Sequence, residues 1–261
     1  MFNVGDLVTR NSYGNDTLFK IIEIKDDVAI LKGVNVRLLA DSPLDDLKLG
    51  TDDEKKSEND DEVVDIIRNT YKYERDEYFY IPGTILHIDG DPDYFKRSMR
   101  LYKNANIMAY GIVLKEDEIY KHIIKYIKQI KPDIVVITGH DAYNRKSGDL
   151  KDLKSYRNTN NFIKAIAEAR KYEKAHDKLV IIAGACQSNY EELIKVGANF
   201  ASSPKRVNIH ALDPALVASS ISLSERGKDI DLMGIIAKTK YGKEGMGGIK
   251  TNGMMYIGYP R

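Results

Sequence analysis

Residues 179–188 read LVIIAGACQS. Five apolar residues in succession leave no polar face for water, so the run predicts a strand buried on both sides, as in a parallel sheet covered by helices. Four more runs belong with it: TILHID at 84–89, NIMAYGIVL at 106–114, DIVVIT at 133–138 and ANFASS at 198–203. Between them lie helical patterns at 93–104, 116–130, 158–175 and 189–197. In EDEIYKHIIKYIKQI (116–130), Ile119, Ile123, Ile127 and Ile130 recur at helical spacing and mark one buried face. Strands alternating with such helices predict an α/β domain over residues 76–261, with a mostly parallel sheet and helices on both faces.

The first fifty residues differ. VGDLVTR, TLFKIIEIKDD and VAILKGVNVRLLA are short β-type runs separated by NSYGND and by Asp26-Asp27. Strands this short, joined by tight turns, predict a small SH3-like β-barrel over residues 1–50. The stretch TDDEKKSENDDE that follows is nearly all charged or polar and has little apolar surface to bury, so residues 51–75 read as a flexible linker.

Forty basic residues against thirty-nine acidic ones give a formal charge of +1. That balance argues against a nucleic-acid or membrane partner, and residues 1–50 carry no basic stripe with interleaved aromatics. The single cysteine forms no internal disulfide and fits a reducing compartment. MFNVGDLVTR lacks the apolar core of a secretory signal, so a cytoplasmic protein is expected. No His, Cys and carboxylate set has metal-ligand spacing, and GKEGMGGIKTNG (242–253) is no phosphate loop, so no cofactor is expected. That glycine-rich run reads as a mobile loop.

Chemistry gathers at the carboxyl ends of strands in such sheets. Cys186 lies just past the strand at 179–184 and just before a helix, whose N-terminus favours a thiolate and which Ser188 or Asn189 could cap. In DIVVITGHDAYN, His140 lies two residues past the preceding strand, and a right-handed crossover puts both residues on one rim. A histidine can deprotonate the thiol and then protonate the leaving amine, so the pair reads as a catalytic dyad. His210 is a second candidate base, and His87, within an apolar strand, reads as a core residue.

A histidine beside glycine at the end of one apolar block, then Ala-Cys at the end of another, resembles the caspase-like peptidase clan. FNVGDLVTRNSYGND, LHIDGDPDYF, VVITGHDAYN, IIAGACQSNYEELI and GGIKTNGMMYIGYPR are each similar to segments of the YabG family of sporulation-specific peptidases. The resemblance implies a caspase-like sheet and a cysteine endopeptidase that cuts after arginine. It implies protein substrates of the spore coat and the mother-cell cytoplasm of a sporulating bacterium. By motif, Cys186 is the nucleophile and His140 the general base and acid, with the backbone N–H groups of Cys186 and Asp141 as oxyanion donors. One departure stands out: Asp141 follows the histidine where many clan members have glycine.

An arginine pocket needs a carboxylate. Asp89 and Asp91, beyond the first strand of the sheet, are the leading candidates, with Asp141 and Asp213 as further ones. A non-catalytic flavodoxin-like binding module is the alternative to the peptidase.

Overall fold

In the computed structural model of the chain, the described residues are 2–50, 60–70, 78–144 and 149–258. The first fifty form five antiparallel strands: β1 (Leu7–Arg10), β2 (Phe19–Lys25), β3 (Val28–Gly33), β4 (Leu39–Pro43) and β5 (Leu47–Leu49). Their order is β4-β3-β2-β1-β5. Asp26 adopts φ +52° in the Asp26-Asp27 turn, the left-handed backbone that a two-residue hairpin requires. Val8, Phe19, Ile21, Ala29 and Leu31 alternate inward and are wholly buried. Among the described residues the sheet is not the expected closed barrel, for β4 and β5 lie at its two edges and do not pair with each other. The loop between β3 and β4 turns outward instead, and Val36 bridges to His210, far along the chain.

Part of the expected linker is a helix, α1 (Asp60–Thr70). Its apolar residues fall on one side, so Val64 and Ile67 are buried. Asp60 pairs with Arg97 at 2.6 Å and with Arg100 at 3.2 Å, which fixes the start of the helix. The rest of that linker, residues 51–59 and 71–75, lies outside the described residues.

The α/β part runs β6 (Phe79–Ile81), β7 (Ile85–Asp89), α2 (Pro92–Asn104), β8 (Ala109–Val113), α3 (Glu116–Ile130), β9 (Ile134–Thr138), α4 (Thr159–Tyr172), β10 (Val180–Ala183), α5 (Tyr190–Lys195) and β11 (Phe200–Ser202). It continues with α6 (Asp213–Ser222), α7 (Leu232–Ala237), α8 (Gly242–Gly245), β12 (Met246–Gly248) and β13 (Tyr256–Gly258). The main sheet has the order β12-β11-β10-β9-β7-β8, parallel except for β12. All five strands expected from sequence are present. The glycine-rich run expected as a mobile loop supplies the edge strand β12. Glycine is needed there because a Cβ at Gly247 or Gly248 would lie 2.8 Å from the Tyr190 ring or 2.5 Å from the Phe200 ring.

Strand alternation sends residues to two cores. Leu86, Ile88, Val135, Ile137 and Ile181 meet α3, α4 and α5 on one face. Ile85, Val136, Val180 and Ile182 meet α2 and α6 on the other, in a cluster continuous with Val8, Phe19 and Leu31 of the N-terminal sheet. Since β7 runs on through α2 to β8, while β9 lies on its other side, the crevice between β7 and β9 is the switch point where open α/β sheets place ligands.

Ile67 is 2% exposed and anchors α1 in the core. Ile67→Ala should lower the unfolding free energy by about 2–5 kcal/mol, read from the urea midpoint of the full chain.

Candidate active site

The loops after β7 and β9 meet at this switch point. Asp89 ends β7 and is fully buried. Its carboxylate accepts from the Asp91 N–H at 2.9 Å and pairs with Arg37 Nη1 at 2.9 Å. His87 Nε2 lies 3.3 Å away, while His87 Nδ1 bonds Tyr102 Oη at 2.8 Å, the buried core position expected of this histidine. Burial opposes ionisation of Asp89, but the Arg37 charge and the His87 hydrogen bond outweigh it and hold the carboxyl well below the usual range.

Asp91 is the N-cap of α2, accepting from the N–H groups of Asp93 and Tyr94 at 2.8 and 3.2 Å. It also lies 2.8 Å from His140 Nε2 and 2.7 Å from Lys32 Nζ. Again burial is outweighed, here by the His140 and Lys32 hydrogen bonds, and its carboxyl stays below the usual range. Asp91 therefore orients the imidazole. His140 Nδ1 is buried and has no hydrogen-bond partner among the described residues. The Tyr94 ring packs on the imidazole, centroid to centroid at 5.5 Å.

Glu116, at the start of α3, accepts from the His140 N–H at 2.8 Å. A Cβ at Gly90 or Gly139 would lie 2.5 Å from its carboxylate, so both glycines make room for this buttress. Lys32, Gly90, Asp91, Glu116, His140 and Asn158 line an open cleft of about 480 Å³.

Asp141 turns away from that cleft. Its carboxylate accepts from Thr159 Oγ1 at 2.5 Å, the Asn158 N–H at 2.7 Å, Ser188 Oγ at 2.9 Å and the Ala142 N–H at 2.9 Å. Burial pushes its pKa up despite these four donors. Its place is to tie the histidine loop to α4 and to the cysteine loop, which leaves no lone pair directed at a substrate guanidinium. Asp213 likewise accepts from backbone N–H groups, of His210 at 2.9 Å and Lys240 at 3.0 Å. His210 accepts from the Leu212 N–H through Nδ1 at 3.3 Å.

Cys186 follows β10 in a turn where Gly184 (φ +107°) and Gln187 (φ +59°) adopt positive φ, a strained geometry for a non-glycine residue. Asn189 caps α5, accepting from the Glu192 N–H at 3.3 Å. The thiol is fully buried and accepts from the Ile209 N–H at 3.2 Å. Burial pushes it up to about 12, only partly offset by the N–H groups of Ile209 and Arg37 and by the Arg37 charge. The lowering of the thiol pKa expected from the helix N-terminus is thus outweighed, since α5 has six residues and desolvation dominates. No hydrogen bond joins His140 to Cys186 among the described residues.

Lys32, Tyr94 and Glu116 carry no motif in the sequence that points to this site. Arg37 had one visible signal, a lone charge in the apolar run GVNVRLLA.

A family model described as YabG peptidase U57 matches residues 3–260 of the chain. The sporulation-specific protease YabG of Bacillus subtilis (strain 168) is 41% identical over 284 aligned positions, covering 99% of this chain and 98% of that protein. No helix among the described residues is long and apolar enough to cross a membrane.

The two depressed carboxyls set a pH dependence. Their stabilisation is present above the unfolded-state value of about 4 and is lost as pH falls below it toward the folded-state values. Denaturant midpoints measured between pH 6 and pH 2 (roughly spanning that window) should therefore fall on the acid side, and Asp89→Asn should flatten the fall.

Proposed function

The chain belongs to the YabG family of peptidases, and we propose that it acts as a cysteine endopeptidase that cleaves after arginine. The observation that carries this reading is the imidazole of His140, fixed through Nε2 by Asp91 with Nδ1 left unpartnered, one parallel strand away from the Cys186 turn. With Nε2–H donating to the carboxylate, Nδ1 holds the lone pair and is the basic nitrogen.

In the proposed reaction Nδ1 takes the proton of the Cys186 thiol, and Sγ attacks the carbonyl carbon of the substrate arginine. The imidazolium then gives that proton to the leaving amine as the C–N bond breaks, leaving a thioester. Water, deprotonated by the same nitrogen, displaces the sulfur and releases the new carboxylate. The backbone N–H groups of Cys186 and Asp141 are the proposed oxyanion donors.

Arginine preference is assigned to Asp89. It lies at the base of the switch-point crevice, and its carboxylate already holds a guanidinium, that of Arg37. Asp91, committed to His140 and Lys32, serves as a positioning residue, and Asp141 as a tie between loops. The sporulation role in the relative's name, together with the family resemblance, supports spore coat and spore-associated proteins as substrates and the mother-cell cytoplasm as the place of action.

Cys186→Ala and His140→Ala should each abolish cleavage of an arginine-containing protein substrate, and Cys186→Ala should keep an unfolding midpoint near that of the parent; residual cleavage by Cys186→Ala would refute the assignment. Asp91→Asn should reduce kcat by about 10²-fold or more, because the imidazole loses its orientation and the partner of its cationic form.

A further inference from the structure

Among the described residues Arg37 is the largest wholly buried side chain, although it belongs to a loop between two strands of an open sheet. Its Nη1 meets Asp89, its Nε donates to the Ala211 carbonyl at 2.9 Å, and its guanidinium lies 5.0 Å from the centre of the Tyr94 ring. Nη2 is buried with no hydrogen-bond partner among the described residues. The surroundings thus form an arginine pocket that satisfies its present occupant incompletely.

The backbone around Arg37 lies as a bound peptide would. Val36 bridges antiparallel to His210, the Ala211 N–H donates to the Asn35 carbonyl at 2.8 Å, and the Arg37 N–H to the Ile209 carbonyl at 3.4 Å. Extended peptides dock on exposed strands by this pairing, with side chains filling pockets. Ile209 is also the residue whose N–H bonds the Cys186 thiol, so this pairing brings the Arg37 backbone against the sulfur. The loop is held from three sides: Tyr94 Oη lies 2.8 Å from the Val36 carbonyl, Arg97 Nη1 donates to the Val34 carbonyl at 2.8 Å, and Lys32 pairs with Asp91 and Asp93. His140 lines the cleft, while the Cys186 thiol is wholly buried beside the Arg37 backbone.

We infer that Arg37 occupies the arginine pocket as an internal substrate mimic, and that the docked N-terminal sheet keeps the peptidase latent until the 33–38 loop is displaced. The inference rests on the assignments of Asp89 and Cys186 given above. A buried ion pair contributes little net stability over apolar packing, so a stabilising bridge alone gives no reason for arginine at this position. A tethered occupant also competes at high effective concentration, which excludes short arginyl peptides and admits segments able to displace the loop.

The test is the rate at which iodoacetamide alkylates Cys186 in the full chain, followed by mass spectrometry under native conditions. Arg37→Ala should speed alkylation by about tenfold or more, as the competent fraction rises. Millimolar methylguanidinium should slow that variant again and leave the parent unaffected. Arg97→Ala keeps Arg37 and Asp89 in place, frees the Val34 carbonyl and the Asn35 side chain and unpairs Asp60, so it should also speed alkylation and decides the matter should Arg37→Ala fail to fold. Parent-like alkylation in either folded variant, or indifference of Arg37→Ala to methylguanidinium, would overturn the inference. Arginyl-peptide cleavage is measured alongside. Its absence from every variant, with alkylation still gated by Arg37, would remove the peptidase reading and leave the gate over the thiol.

Discussion

The buried contact between Arg37 and Asp89 organises this molecule. A guanidinium and a carboxylate taken wholly out of water must be matched by each other and by further hydrogen bonds. Here the chain supplies the Ala211 carbonyl to one partner and the Asp91 N–H to the other. Removing either partner alone strands a charge in the core, at a cost of about 3–5 kcal/mol. The pair therefore fixes where the N-terminal sheet rests on the α/β part more sharply than the apolar core between them, which could slide without leaving any charge unpaired.

The second constraint is the parallel pairing of β7 with β9. Register sets Asp89 beside Thr138, so Asp91 and His140, each two residues further on, face one another across the crevice. Glycine at 90 and 139 lets Glu116 come up beneath both loops and hold the His140 backbone. Asp141 then links this loop to Ser188, two residues past the cysteine. A carboxylate after the histidine, awkward beside an oxyanion, is accounted for by this tie: it points into a nest of four donors and away from the cleft.

Much of this was legible in the sequence, for identifiable reasons. Apolar runs such as IVVIT, bounded by helical periodicity, report burial on both faces, so the parallel strands followed directly, and with them the places of His140 and Cys186 in the chain just past β9 and β10. Closure of the N-terminal strands was not legible, since alternation reports which face is buried but not whether edge strands meet. EVVDIIRN was lost in the acidic stretch before it, because composition averaged over the tether hides two buried anchors, Val64 and Ile67. The partners of Asp89 were beyond reach for a different reason. Arg37 stands 52 residues from Asp89 and 174 from Ala211, and no local spacing encodes such pairs.

A wholly buried thiol pushed up to about 12 looks at first like an argument against a nucleophile, since reactive cysteines have low pKa values and partial exposure. The latency proposed above accounts for it. Desolvation is the largest cause of the shift, and residue 37 and its neighbours are part of what covers the sulfur. Tyr94 links the same loop to the base, with its hydroxyl on the loop carbonyls and its ring on the His140 imidazole. Displacing the 33–38 loop therefore changes three things together: water and substrate reach the sulfur, Asp89 loses its guanidinium, and Tyr94 loses the contacts that hold it. The latency proposed above fits this arrangement, in which the carboxylate assigned to specificity, the cover over the proposed nucleophile and the neighbour of the proposed base are all linked to the same loop.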